Sequence, residues 1–80
     1  MRITSQNEMI DVNYDMCTLR ASCSIDGSCD IWAETIAGEC YLFGTFPSKT
    51  AAIQELTRIW ESWQRGCSNH QIRKAESYEL

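Results

Sequence analysis

The chain reads as an α+β domain, a small antiparallel β meander of three to five strands packed against one C-terminal amphipathic helix. Three observations predict it. Between Ile10 and Ile25 apolar and polar residues alternate with the period of two that half-buried strands show, and two further short apolar runs up to Phe46 are set off by turn residues at Asp26-Gly27 and Ala37-Gly38-Glu39. After Pro47-Ser48 the period becomes that of a helix, with Ala52, Ile53, Leu56, Ile59, Trp60 and Trp63 along one stripe. The length of 80 residues holds one domain. A domain of that size buries only about 60% of its unfolded surface, so a partner or a second copy would add to its stability.

The elements follow in order. Arg2 to Thr4 is expected to pair with Met9 to Val12 as a hairpin through Ser5 to Glu8. Ile10, Val12, Tyr14 and Met16 then share one face, whereas from Cys17 the phase flips to Cys17, Leu19, Ala21, Cys23 and Ile25. A one-residue change of phase sends every side chain to the opposite face, so a turn is expected around Asp15. Asp26-Gly27 supplies the two residues of a type I′ hairpin turn, which needs positive φ at both central positions. The strand from Cys29 to Ile36 is apolar on both faces, with Trp32 and Ile36 opposite Cys29, Ile31 and Ala33. Cys40 to Phe46 (CYLFGTF) is also apolar on both faces, so something besides the helix should cover it, and a homodimer is one way to do so. Ser48 is placed to cap the helix, which runs to about Arg65, where Gly66 stops it. Gln54, Glu55, Thr57, Arg58, Glu61, Ser62 and Arg65 cover its polar side. Residues 1–67 make a single domain, and 68–80 a polar C-terminal tail or short edge strand with Ile72, Tyr78 and Leu80 as anchors.

The net charge of −4 is unevenly placed. The acids of the sheet, Asp11, Asp15, Asp26, Asp30, Glu34 and Glu39, would repel phosphate backbones and attract basic protein surfaces. Direct binding of nucleic acid is therefore not expected. Arg2 to Gln6 is too polar for the apolar region of a signal peptide, and no apolar run approaches the roughly 20 residues that span a bilayer. The expectation is a cytoplasmic protein, without a membrane partner and with reduced thiols.

Reactive groups do not converge along the sequence. The five cysteines, Cys17, Cys23, Cys29, Cys40 and Cys67, have neither zinc-knuckle nor thioredoxin spacing and read as small packing residues. His70, the one histidine, has no carboxylate or nucleophile placed beside it by sequence and reads as a surface residue. No catalytic residue, metal or cofactor is expected, and the protein is read as a non-enzyme. Function must then lie in the surface. Trp60 and Trp63 cannot both point straight into one core, and a partly exposed tryptophan is a common interface anchor. Trp32 and Tyr41 on neighbouring strands would form a docking face if both lay away from the helix. The expected partner-binding set is Asp11, Asp15, Asp26, Asp30, Trp32, Glu34, Glu39, Tyr41 and Trp63.

Arg2, Ile3, Ser5, Gln6, Asp11 and Tyr14, within the opening MRITSQNEMIDVNYDM, carry a resemblance to very short proteins of prophages and conjugative elements of Gram-positive bacteria. Those proteins begin MRI-x-SQ, continue into a D-x-x-Y strand and pass through short strands into one helix. The resemblance implies a mobile-element origin. Small acidic proteins of such elements often cover a surface on a host defence complex, as anti-CRISPR proteins do. The expected function is thus inhibition of a host bacterial defence protein, CRISPR-Cas or similar, through acidic strands and an aromatic patch. Two alternatives belong to other classes. One is an oligomeric sponge for a cyclic nucleotide immune signal, with Arg20, Arg58 or Arg65 meeting phosphates; the other is a structural or regulatory accessory of the mobile element, basic at Arg73-Lys74.

Overall fold

The computed structural model of the protein describes residues 1–74; the expected anchors Tyr78 and Leu80 lie outside the described residues. Two three-stranded sheets and one helix make up the α+β fold. The first sheet contains β1 (Arg2–Thr4), β2 (Asp11–Asn13) and β6 (Asn69–Gln71) in the order β2-β1-β6. The second contains β3 (Cys17–Cys23), β4 (Cys29–Thr35) and β5 (Cys40–Phe46) in that order. Helix α1 spans Lys49–Gln64 and packs across all three strands of the second sheet.

The expected opening hairpin is present, with Ile3 opposite Val12, although β2 is shorter than the pattern suggested. The change of phase falls in a 3-10 turn at Tyr14–Met16, where Asn13 Oδ1 accepts the Asp15 amide. Of the two readings of residues 68–80, Asn69–Gln71 is an edge strand: it runs parallel to β1, with His70 opposite Ile3.

The β3–β4 hairpin differs from the expected two-residue turn. Ser24 N–H donates to the Ser28 carbonyl at 2.8 Å and Gly27 N–H to the Ser24 carbonyl at 3.0 Å, with Gly27 at φ 92°. The loop is therefore the three residues Ile25-Asp26-Gly27, a reverse turn followed by a left-handed glycine. Ile36-Ala37-Gly38 repeats the arrangement between β4 and β5, which moves Ile36 out of the strand and into solvent. One extra loop residue shifts the hairpin register, and it sets Cys23 directly opposite Cys29. Those two residues form a disulfide, contrary to the expectation of reduced thiols. The Ser24–Ser28 bond makes the neighbouring Cys23–Cys29 pair a non-hydrogen-bonded one, where opposed side chains come closest. Nor do the cysteines serve mainly as packing: Cys29 is fully buried and Cys17 half-buried, but Cys23, Cys40 and Cys67 are exposed.

The core lies between the helix and the inner face of the second sheet and continues into the first. Cys29, Ile31 and Ala33 of β4, Phe43 and Phe46 of β5, Ala52 and Ile59 of α1, and Ile3, Val12 and Ile72 form one cluster. Phe43 is the extra residue of a bulge, since Ile31 faces Gly44 while Trp32 faces Leu42.

Ser48 caps α1 through its hydroxyl, which accepts the Ala51 amide at 3.1 Å, and Gly66 follows the helix at φ 77°. The buried side of the helix is not the expected stripe. Ala51, Ala52, Glu55, Ile59 and Ser62 face inward, while Ile53, Trp60 and Trp63 are 48%, 49% and 45% exposed. At 100° per residue the buried sector is turned roughly 90° from the apolar one.

Candidate functional site

Three arrangements could carry function: a buried polar network beneath α1, the apolar sector that α1 leaves exposed, and the outer face of the second sheet.

The network joins α1 to β6. Glu55 and Ser62 stand seven residues apart, two helical turns, on the buried side of α1. His70 lies between them: Nε2 is 2.8 Å from Glu55 Oε2, and Nδ1 is 2.9 Å from Ser62 Oγ. Arg58, one turn along, donates to Glu55 Oε1 at 2.6 Å. A carboxylate only accepts, so Nε2 carries a proton; in the neutral imidazole Nδ1 then accepts from the Ser62 hydroxyl. This corrects the reading of His70 as a surface residue without a carboxylate partner. Serine, histidine and glutamate are the residue types of a nucleophilic triad, yet they are 7%, 5% and 0% exposed. In this buried setting the network ties the C-terminal strand to the helix. The sequence pattern alone puts Glu55 and Ser62 on the solvent side of the helix. The available signal was their seven-residue spacing, but only tertiary structure brings His70 to them.

The exposed sector of α1 holds Ile53, Trp60 and Trp63 at spacings of seven and three, with half-buried Leu56 between them. Trp63 also meets Tyr14 of the 3-10 turn, the ring centroids 6.0 Å apart and tilted at 48°. Of the expected binding set, Trp63 alone lies on this surface, and Trp60, outside that set, is as exposed as Trp63.

The register places Thr18, Arg20 and Ser22 of β3, Asp30, Trp32 and Glu34 of β4, and Cys40, Leu42 and Thr45 of β5 on the outer face of the second sheet. Asp30, Trp32 and Glu34 from the expected set come together here. Arg20 lies across the sheet, its Nη2 reaching Cys40 Sγ at 3.8 Å, two strands away. Tyr41 does not join Trp32: it is aligned with Ala33 and packs against the core side. Its hydroxyl donates to Glu39 Oε2 at 2.9 Å, which holds the phenol pKa above its ordinary value. The remaining acids are elsewhere. Asp11 accepts from Arg2 Nε and Nη2 at 3.2 and 3.1 Å, and Asp15 sits in the 3-10 turn. Asp26 at the hairpin tip accepts the Ser28 amide and hydroxyl at 2.9 and 2.7 Å, and those bonds, the amide's first, lower its pKa. The nine expected residues thus occupy several surfaces. Nor do the arginines of the phosphate alternative converge, since Arg58 is engaged under the helix and Arg20 crosses the opposite face of the sheet.

Gln6 fills the edge of β5 at the bulge. Its N–H donates to the Phe43 carbonyl at 2.7 Å, its side-chain oxygen accepts the Thr45 amide at 2.9 Å, and its Nε2 donates to the carbonyls of Thr45 and Arg73 at 3.1 and 2.9 Å. Gly44 permits this approach, because a Cβ there would lie 3.1 Å from the Phe46 ring and 3.4 Å from Gln6 Cβ. The shallow cleft beside it, ≈ 80 Å³ and lined by Gln6, Asn7 and residues 42–45, contains no titratable side chain. Among the described residues no group of three or more His, Cys, Asp or Glu side chains is arranged to hold a metal ion, and no helix is long and apolar enough to cross a membrane. No protein-family model, curated protein or solved structure matches the chain.

Proposed function

We propose that the protein is a non-catalytic binding protein that masks a surface of a partner protein, with the exposed sector of α1 as its anchor. The observation that carries this reading is the mismatch on the helix. Ile53, Trp60 and Trp63 stand outside the core on a helix that has Glu55 and Ser62 inside it. Leaving two tryptophans and an isoleucine half exposed in one sector gives up roughly half of the about 1.5–3 kcal/mol that fully burying a large apolar side chain contributes, which a partner's apolar groove would recover. Tryptophan is also the side chain most enriched among interface residues that dominate affinity. Asp30 and Glu34 on the outer sheet face, and the net charge of −4, would favour encounter with a basic protein surface and disfavour nucleic acid.

The resemblance of the opening residues supplies the class of partner. On this reading the protein comes from a mobile element of a Gram-positive bacterium, and its target is a host defence complex whose assembly or substrate binding it blocks, in the manner of anti-CRISPR proteins. Most residues that carry the resemblance have structural roles in this chain. Arg2 pairs with Asp11, Ile3 is in the core, Gln6 holds β5, and Tyr14 packs on Trp63. They would preserve the scaffold while the helix and sheet surfaces meet the target.

The test is affinity purification of the tagged protein from a Gram-positive host carrying defence systems, with mass spectrometry of what co-purifies near stoichiometry. Recovery of a defence nuclease or effector complex supports the reading. Recovery of proteins encoded by the mobile element would point to an accessory role, and a nucleotide-dependent rise in melting temperature to the sponge.

A further inference from the structure

The edge of β3 turned away from β4 carries a self-complementary sequence. β3 is the outer strand of the second sheet, seven residues long, and no backbone hydrogen bond joins it to a described residue outside its own sheet and turn. The opposite edge, β5, is filled by Gln6, and both edges of the first sheet are only three residues long. Hydrogen-bonded pairs alternate along an antiparallel ladder, and Ser24–Ser28 is such a pair. The N–H and C=O groups of Cys17, Leu19, Ala21 and Cys23 therefore point away from β4, toward the open edge.

The sequence of this edge, Cys17-Thr18-Leu19-Arg20-Ala21-Ser22-Cys23, is a chemical palindrome centred on Arg20. An antiparallel copy aligned on Arg20 sets cysteine against cysteine, threonine against serine and leucine against alanine. The same alignment satisfies the backbone, because it pairs residue 17 with 23 and 19 with 21, the four positions whose amides and carbonyls face outward. Thr18 and Ser22 then meet across the two-fold axis on the outer face, where hydroxyl pairs are favourable. The apparent obstacle is Arg20 opposite Arg20. It is removed by the direction of the side chain: Arg20 lies back over β4 toward Cys40, so the two guanidinium groups point away from each other. With strands about 4.8 Å apart they would be separated by roughly 20 Å, beyond the Debye length of about 8 Å at physiological salt.

We propose that two copies of this chain pair antiparallel through β3, aligned on Arg20, to form a continuous six-stranded sheet. The interface is isologous, since one self-complementary strand serves both sides. Continued beyond the strand, the alignment sets the hairpin tip, where Ile25 is exposed, alongside the 3-10 turn of the second copy, where Met16 is also exposed. A single strand pair buries less than the roughly 800 Å² per partner of a standard interface, so dissociation in the micromolar range is expected. This proposal is independent of the target assigned above, and the exposed sector of α1 takes no part in it.

Sedimentation of the full chain over a rising concentration series should show a reversible species of twice the 9.2 kDa monomer mass. Two variants test the edge and the alignment. Ala21→Pro removes an N–H that makes no bond to a described residue of its own subunit, so it should abolish the dimer and leave the circular dichroism spectrum and melting temperature close to wild type. In a background with Cys17, Cys40 and Cys67 changed to serine, Arg20→Cys places thiols across a non-hydrogen-bonded pair on the axis and should cross-link on oxidation. Thr18→Cys, whose partner in this alignment is Ser22, should not. A monomer at every concentration, without cross-linking of Arg20→Cys, overturns the proposal. A dimer that survives Ala21→Pro, or one in which Thr18→Cys cross-links as readily as Arg20→Cys, overturns the assignment to this edge and alignment.

Discussion

Replacing Glu55 with alanine tests whether the polar network under α1 is as dry as its burial implies. The carboxylate is fully buried and accepts from His70 Nε2 at 2.8 Å and Arg58 Nη1 at 2.6 Å. Without it His70 keeps a donor with no acceptor inside the core, and the bond to Ser62 loses the group that fixes the imidazole tautomer. Leaving a buried hydrogen-bonding group without its partner costs about 1–3 kcal/mol. An 80-residue domain has about 4–12 kcal/mol of stability in all, so Glu55→Ala should remove a substantial part of it. Arg58→Ala should cost about 1 kcal/mol or less, because a guanidinium one-third exposed is screened by water. Glu55→Leu with His70→Phe should cost less than Glu55→Ala alone, since the double change removes both buried polar partners. Equilibrium urea unfolding followed by tryptophan fluorescence gives all three values. A cost below about 1 kcal/mol for Glu55→Ala would mean that water reaches the network and would refute the argument from burial.

Other expectations follow from particular bonds. A peptide map under non-reducing conditions should join Cys23 to Cys29 and leave Cys17, Cys40 and Cys67 as thiols. Closing so short a loop contributes about 2 kcal/mol on the chain-entropy account, so reduction should lower the urea midpoint without changing the sheet signal. Among the free thiols Cys17 should be modified most slowly, because burial and then the nearby Asp15 charge raise its pKa. Asp26 should titrate below its ordinary 3.8, held down by the Ser28 amide and then the Ser28 hydroxyl. Because the folded value is the lower one, the contribution of Asp26 is present above the unfolded value and is lost as pH falls through the folded one. An NMR titration should therefore show the hairpin tip loosening only below pH 3.8, and Ser28→Ala should move the Asp26 midpoint part of the way back.

The α+β class, the opening hairpin, the three long strands and the capped helix were all legible, because each depends on local periodicity or on one turn residue. What escaped the sequence follows from two physical causes. The first is loop length at Asp26-Gly27. A two-residue turn would have faced Cys23 with Asp30, whereas the three-residue turn faces it with Cys29, so one residue decided both the register and the disulfide. The second is that an apolar stripe marks the buried face only when the rest of the fold supplies nothing better. Here His70 arrives on β6, offers Glu55 and Ser62 a buried partner, and leaves Ile53 and the tryptophans outside. Gln6 looks like an ordinary loop residue in the sequence for a similar reason, since its bonds to Thr45 span thirty-nine residues and leave no local pattern.

The most direct test of the binding account compares three tagged proteins in the same host lysate: wild type, Ile53→Ala with Trp60→Ala, and Asp30→Lys with Glu34→Lys. These positions avoid the Tyr14–Trp63 contact and the core, so each variant should keep the wild-type circular dichroism spectrum. The account predicts that wild type retains a defence complex near stoichiometry, that the helix variant loses it by at least tenfold, and that the charge-reversed variant associates more slowly. Equal retention of the same complex by a folded helix variant would contradict it.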